Sequence, residues 1–415
     1  MNRWYMFLLF KLVMIGLLLY IQFYCYRKIS GYLQQSNKSK SLQIITIIPF
    51  ILFNLPLLVF LFWIPKIIVA STWLIYVCIY PFYLWHFSFF IVCLLLLVVN
   101  LLKLPFVAIV WSVRKLSDRR TNPKRQARVR SAEYDSRRRI FMQQGVTILT
   151  GAALTGSAYG AFRKDAYELT NTTIQILNLP PLFEGFSIAL ISDIHSSVFM
   201  AKEKMMEYAH AVNALRADLI LVTGDFVNSQ VDEVYPFAEA FVALKAPDGV
   251  YGVLGNHDYY TGNVDAVARN IEECGIRLLV NDHVALRKEG EHIYLLGSDD
   301  VGNSSRANDA FHKALAGVEK NSVTILMCHR PYYFQNAASR NIDSTLSGHT
   351  HGGQIVFGKI NDHYLAAARI ASPYIAGLYS IGTSKMYVSR GIGTVGVPIR
   401  INCPPEITRI TLTKA

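Results

Sequence analysis

The chain has 415 residues, a net charge of +12 and a hydrophobic fraction of 52%. With a mean hydropathy of +0.28, that composition excludes a soluble enzyme along its whole length and places part of the chain in lipid.

The apolar excess lies at the front. Residues 4–24 form a run broken only by Lys11, long enough for one membrane helix at about 20 residues per span. From Leu42 to Val113 the only charged side chains are Lys66 and Lys103. About seventy residues at roughly 1.5 Å each would make a helix of about 105 Å, roughly three bilayer cores. Spans are therefore expected near 44–64, 67–87 and 89–111, with turns near Pro65 and Trp85. Trp4, Trp63, Trp85 and Trp111 fall near the proposed span ends, where aromatic belts form. Residues 1–113 thus read as a multi-span membrane region of about four helices, in contact with the lipid bilayer.

Arg114 to Arg139 holds eleven Lys or Arg against three acidic residues, +8 of the total +12. Beside membrane helices such a block reads as a cytoplasmic loop under the positive-inside rule, and no nucleic-acid partner is expected. Residues 140–163 follow as a signal-like segment or fifth membrane helix, uncharged until Arg163, with a lead-in "SRRRIFM" that resembles a twin-arginine export signal. If it crosses, everything beyond Arg163 lies outside the cytoplasm. The expected location is then a bacterial cell membrane, with the last domain on its extracytoplasmic side. Two alternatives stay open: a packed or interfacial helix that leaves this domain in the cytoplasm, and cleavage near "SAYGA". Arg27, Lys28, Lys38 and Lys40 oppose a five-span scheme, which would put them outside.

From about residue 165 short apolar runs alternate with amphipathic stretches, as in "FSIALIS" followed by "KEKMMEYAHAVNALR". The alternation reads as α/β with much parallel pairing. Polar residues then fall into a pattern. Asp193 and His195 end one run, Gly224 and Asp225 a second, and Gly255, Asn256, His257 and Asp258 a third. His329 ends a later run, and His349 with His351 another. Five strand ends would deliver them to the sheet edge where α/β proteins assemble sites. Carboxylate, amide and imidazole without cysteine suit Mn, Fe, Zn or Ni. The donors are too many for one tetrahedral ion, and Asp225 can bridge two. A pair about 3.5–4 Å apart suits displacement at phosphorus.

The ordered set D-x-H, G-D, G-N-H-D, H and G-H-T-H resembles the calcineurin-like metallophosphoesterases. "GNHDYY", "CHRP", "LSGHTHGGQI" and "YVSRGIG" resemble the membrane-anchored bacterial branch of that family, over about residues 185–415. The resemblance implies a four-layer αββα sandwich over residues 165–415, behind the all-α multi-span membrane domain. It also implies that Asp193, His195 and His351 bind one divalent metal, that Asn256, His329 and His349 bind another, and that Asp225 bridges them. His257 would act on the leaving group or a phosphoryl oxygen with Asp258 orienting it, and a metal-bound hydroxide would attack. In "DIHSS" an apolar residue and Gly would be usual after the histidine, which puts the local loop shape in doubt.

In an extended segment residues i and i+2 point the same way, so His349 and His351 would face the two ions from one side, with Gly348, Gly352 and Gly353 allowing a tight path. His86, His210, His283, His292, His312 and His363 get no role. Cys274, Cys328 and Cys403 show no metal spacing, and a disulfide between any two is not deducible. Arg330 and Arg390 are candidates for a substrate phosphate, against structural ion pairs.

The expected activity is metal-dependent hydrolysis of a phosphoester or pyrophosphate bond. Membrane attachment suggests a lipid-linked substrate, with UDP-2,3-diacylglucosamine a candidate by analogy. The rivals are a non-catalytic metal-binding membrane sensor or scaffold and a cytoplasmic nucleotide phosphodiesterase.

Overall fold

The structure, a computed structural model, describes the chain except for residues 1–2, 36–39, 58–71, 118–126, 301 and 361–362. The described residues divide into two compact units that meet in sequence between Tyr159 and Gly160.

The first unit is helical: α1 (Arg3–Gln35), α2 (Lys40–Leu52), α3 (Tyr80–Ser117) and most of α4 (Ala127–Arg163). The turn expected near Trp85 is absent. Helix α3 runs through it, led in by helical residues Thr72–Leu74 and a π segment, Ile75–Ile79, and Trp85 is buried inside it against Phe50 and Phe89. The reason is local. No glycine interrupts residues 80–117; Pro81 lies just past the π segment, and Pro105 is carried inside the helix.

Among the described residues two helices are long and apolar enough to cross a membrane, Leu12–Gln34 and Ile75–Ser112, with a shorter apolar helix at Ile44–Leu57. Over its described part, residues 72–111, this corrects the division of 67–111 into two spans. The proposed turn at Pro65, the belt residue Trp63 and the end of the 44–64 span lie outside the described residues. The 140–162 segment is not a separate helix either. It continues from the basic stretch as part of α4, and Gln143, Val146, Thr150, Ala153 and Ser157, three or four residues apart, form its buried face. Val146 and Ala153 pack with Cys25, Phe89 and Val92. Polar groups inside this apolar unit find one another: Ser88 Oγ donates to Ser157 Oγ (2.9 Å), and Trp85 Nε1 donates to Gln22 Oε1 (2.8 Å).

The second unit holds two six-stranded sheets. One has the order β1-β14-β2-β3-β4-β5, built from Glu168–Ile176, Glu406–Lys414, Ser187–Ile191, Leu219–Val222, Val250–Gly252 and Arg277–Leu278. The other has the order β12-β13-β9-β8-β7-β6, from Gly377–Ile381, Ser384–Val388, Ser344–Ser347, Thr324–Met327, Glu291–Gly297 and Asp282–Lys288. A two-stranded hairpin, β10 (Val356–Ile360) with β11 (His363–Ala366), stands apart from both.

Strand alternation builds the layers. Ile188, Leu190, Leu219 and Leu221 of the first sheet meet Leu295, Ile325, Met327 and Leu346 of the second in one core between the sheets. Their neighbours Ala189, Ile191, Ile220 and Val222 turn outward onto α5 (Lys202–Ala214), α6 (Val234–Phe241) and the helix at Val264–Glu273. Leu296 and Leu326 turn outward onto Ala307 and Phe311 of the helix at Ser304–Ala314. The result is helix, sheet, sheet, helix. Strands covered on both faces must be apolar throughout, which is why "IALI", "LILV" and "TILM" show no alternation. Strands β2, β3 and β4 run parallel in one sheet, and β8, β9 and β13 in the other.

Candidate metal centre

Asp193 and His195 follow β2, Asp225 follows β3, Asn256 and His257 follow β4, His329 follows β8, and His349 and His351 follow β9. All are carboxyl ends of parallel strands, so one edge collects them. Backbone geometry aims them further. Asp193, His195, Asp225, His349 and His351 all have positive φ, between 50° and 72°. Such residues are uncommon outside glycine and persist where the surroundings fix them. The "GHTH" pair therefore converges through left-handed turns and not, as the sequence suggested, through an extended segment.

Three overlapping sets of donors result. Asp193, His195 and His351 bring ligand atoms within 4.8 Å of one another, as do His195, Asp225 and His257, and Asp225, His329 and His349. His195 Nε2 and His351 Nε2 are 3.0 Å apart, and His349 Nδ1 is 3.2 Å from His329 Nε2. Asp225 lies between the sets, its Oδ2 3.5 Å from His195 Nε2 and 3.2 Å from His329 Nε2. Asn256 Oδ1 is buried with no partner.

Two glycines permit this closeness. A Cβ at Gly348 would lie 1.9 Å from Ser192 Oγ and 2.3 Å from Asp193 Oδ2, and one at Gly255 would lie 2.2 Å from Asp225 Oδ1. The backbone fixes the carboxylates in return. His349 N donates to Asp193 Oδ1 (2.8 Å) and His257 N to Asp225 Oδ1 (2.8 Å).

In the metal-free protein, burial holds the imidazoles of His195 and His349 down at about 3, and that of His351 well below its ordinary range. His329 goes the other way. Burial opposes its charge, but Asp225 outweighs burial and lifts the imidazole to about 10. Asp225, against its own burial, is driven well below the usual carboxylate range by His329. Where the neutral imidazoles of His195 and His351 meet at Nε2, only one of the two nitrogens can donate to the other. Cations would satisfy them, and a carboxylate and imidazole set with an orphaned amide oxygen fits divalent ions.

Not every expected residue takes its expected part. Asp258 does not orient His257: its Oδ1 accepts from Phe226 N (2.9 Å) and Val227 N (3.1 Å), and its Oδ2 from Gly255 N (2.8 Å). His257 is oriented by the chain itself, with Nδ1 2.5 Å from the carbonyl oxygen of Asn228. Arg330 forms a fork with Asp300 (2.6 and 2.8 Å). Arg390 pairs with Glu406 (2.5 Å) and Glu168 (2.9 Å). Both guanidiniums are thus in structural ion pairs. Cys274, Cys328 and Cys403 are free thiols.

Sequence reasoning missed Arg400. It is 1% exposed and donates to the carbonyls of Gly393, Arg390, Gly391, Cys403 and His351. It also missed Tyr260 and Tyr332, whose rings lie 4.8 Å from His257 and 5.3 Å from His349. "GNHDYY" and "CHRPYY" held the signal for the tyrosines; "PIRIN" held none for Arg400.

A paired-sheet α/β fold whose strand ends gather two donor sets around one shared carboxylate defines a metal-dependent hydrolase of the binuclear kind. Residues 186–353 match the calcineurin-like phosphoesterase family. A zebrafish (Danio rerio) protein named "Transmembrane protein with metallophosphoesterase domain" is 31% identical over 300 residues, 70% of this chain and 67% of its own length. A bovine (Bos taurus) protein of the same name is 32% identical over 260 residues, 60% of this chain and 57% of that one. An uncharacterized metallophosphoesterase of Bacillus subtilis is 29% identical over 289 residues, covering 67% of this chain and 97% of that one. The chain belongs to the calcineurin-like metallophosphoesterase family: it is a phosphoester hydrolase that uses a dinuclear divalent metal centre.

Proposed function

We propose that the chain is a membrane-anchored phosphohydrolase that cleaves a phosphodiester or pyrophosphate bond in a lipid-linked substrate such as UDP-2,3-diacylglucosamine. The observation that carries the site is Asp225, within 3.5 Å of His195 on one side and 3.2 Å of His329 on the other. Asp193, His195 and His351 would hold one ion and Asn256, His329 and His349 the second, with Asp225 placed to serve both. The chemistry that two divalent ions would supply there is activation of water near neutral pH and neutralisation of charge on the phosphorus oxygens. His257, pinned through Nδ1, presents Nε2 to the leaving-group oxygen.

Membrane attachment is supported by the two long apolar helices, and attachment in turn favours a substrate presented at the bilayer. The single continuous helix over residues 75–112 also removes a conflict. Arg27 and Lys28 of α1 line one cavity with Arg139 of α4, so both basic segments share a side, which the positive-inside rule makes cytoplasmic. Helix α4 then leads away from it. That supports an organisation of membrane helices to about residue 113, a basic stretch over 114–139 that is helical at both ends, a crossing within 140–163, and an extracytoplasmic catalytic domain over 165–415.

The test uses the full chain in nanodiscs, stripped of metal and then given Mn. Turnover of an aryl phosphodiester is expected, with faster turnover of the lipid nucleotide; equal rates on both would remove the lipid substrate. A reporter fused after Arg163 that is active only in the cytoplasm would overturn the orientation.

A further inference from the structure

The strongest feature outside the metal centre is a polar cavity of about 670 Å³ in the helical unit, lined by Arg27, Lys28, Ser30, Gly31, Arg139 and Gln143 among others. Three cations converge on it, and among the described residues no acidic side chain lines it. A site of that sign takes an anion.

Its depth narrows the anion. The apolar run of α1 ends at Tyr26, immediately before Arg27, and the uncharged stretch of α4 begins at Ile140, immediately after Arg139. The cavity thus lies where apolar helix surface gives way to charge, the level of lipid phosphates. Gln143 adds a built polar wall. It is 7% exposed and its Oε1 has no partner, a cost that a hydrogen-bonding ligand would relieve. The helices approach closely here, since a Cβ on Gly31 would fall 2.4 Å from Gln143 Nε2.

We propose that the cavity between α1 and α4 binds the phosphate of an anionic lipid headgroup, with Arg27, Lys28 and Arg139 around the phosphate and Gln143 hydrogen-bonded to the polar headgroup. The ligand chemistry is a phosphate anion, and the bilayer is its source. Free phosphate from solution is the competing source.

The full chain would be placed in phosphatidylcholine nanodiscs with a minor fraction of phosphatidylglycerol, and retained lipid identified by native mass spectrometry after release into detergent. Wild type is expected to retain phosphatidylglycerol selectively, even after washing with inorganic phosphate. The double variant Arg27→Gln/Arg139→Gln should bind it about 30-fold more weakly. Gly31→Leu, which fills the cavity without changing charge, should lose it too. Both variants should keep wild-type turnover of an aryl phosphodiester, which shows that they fold. Equal retention by wild type and both folded variants would overturn the site, and displacement of the lipid by inorganic phosphate would overturn the bilayer as its source.

Discussion

His257 Nδ1 lies 2.5 Å from the carbonyl oxygen of Asn228. A carbonyl can only accept, so Nδ1 carries the proton and Nε2 is the free nitrogen, set against His195 with ring centroids 4.5 Å apart and nearly perpendicular planes. In the proposed mechanism this places a proton-transferring group beside the ions without making it a ligand. His257→Ala should keep two metals per chain and lose about 10²–10⁴-fold in kcat on an aryl phosphodiester. Metal analysis with steady-state kinetics checks it. A variant that also loses one metal would make His257 a ligand instead.

Metal binding should release a proton. In the metal-free chain His329 stays protonated to about pH 10, while His195 and His349, at about 3, are already neutral. A metal on His329 must displace its proton, so affinity should rise up to about tenfold per pH unit below that value. Calorimetry in buffers of different ionisation enthalpy should find about one proton released per chain at neutral pH. No buffer dependence would contradict the buried Asp225 and His329 pair.

The same pair gives the metal-free chain its pH window. His329 is raised above its ordinary 6.5, so its share of stability is full below that value and fades as pH rises through about 10. Asp225 is depressed, so its share is full above the ordinary carboxylate range and is lost on strong acidification. In thermal unfolding of the chelator-treated chain, the contribution of this pair should therefore be flat across neutral pH and fall at both extremes. Addition of Mn should raise the midpoint across that neutral range.

Asp258 is fully buried, and its carboxylate serves the amides of Gly255, Phe226 and Val227. These amides bracket Asp225 and Asn256. Asp258→Ala would leave three donors without an acceptor, at about 1–3 kcal/mol for each one buried. The midpoint should fall and metal affinity with it, because the backbone that aims Asp225 loosens. Unchanged metal affinity in a destabilised variant would separate the fold from the site.

Much of this was legible because short-range rules govern it. Apolar runs such as "LILV" gave strands, and the next polar residues, Asp225 or His329, had to sit at their ends. Less legible was anything set by distant packing. Trp85 looked like a span end from its residue type, yet its neighbours Phe50 and Phe89 hold it inside a continuous helix. Asp258 looked like the partner of His257 from adjacency, whereas the first turn of the helix at Asn256–Tyr260 points its carboxylate back at the loop after β3. The parallel pairing of β1 with β14, across more than two hundred residues, has no local signature.

Arg400 tests how distant packing supports the site. Its guanidinium is buried and, among the described residues, held by backbone carbonyls in place of a carboxylate. Nη2 donates to Gly393 (2.6 Å) and Arg390 (2.8 Å), and Nη1 to Cys403 (3.2 Å) and His351 (3.4 Å). A planar fork can reach carbonyls on both sides of the His351 loop at once, and a point charge cannot. Arg400→Met fills similar volume but leaves those carbonyls without donors, and should destabilise the chain by about 1–3 kcal/mol for each carbonyl left buried and unpaired. Arg400→Lys should recover part of the stability but not the position of His351, so metal stoichiometry should fall below two per chain before the fold is lost. If Arg400→Lys instead retains both metals and the wild-type midpoint, charge alone is enough and the fork geometry is not what holds His351.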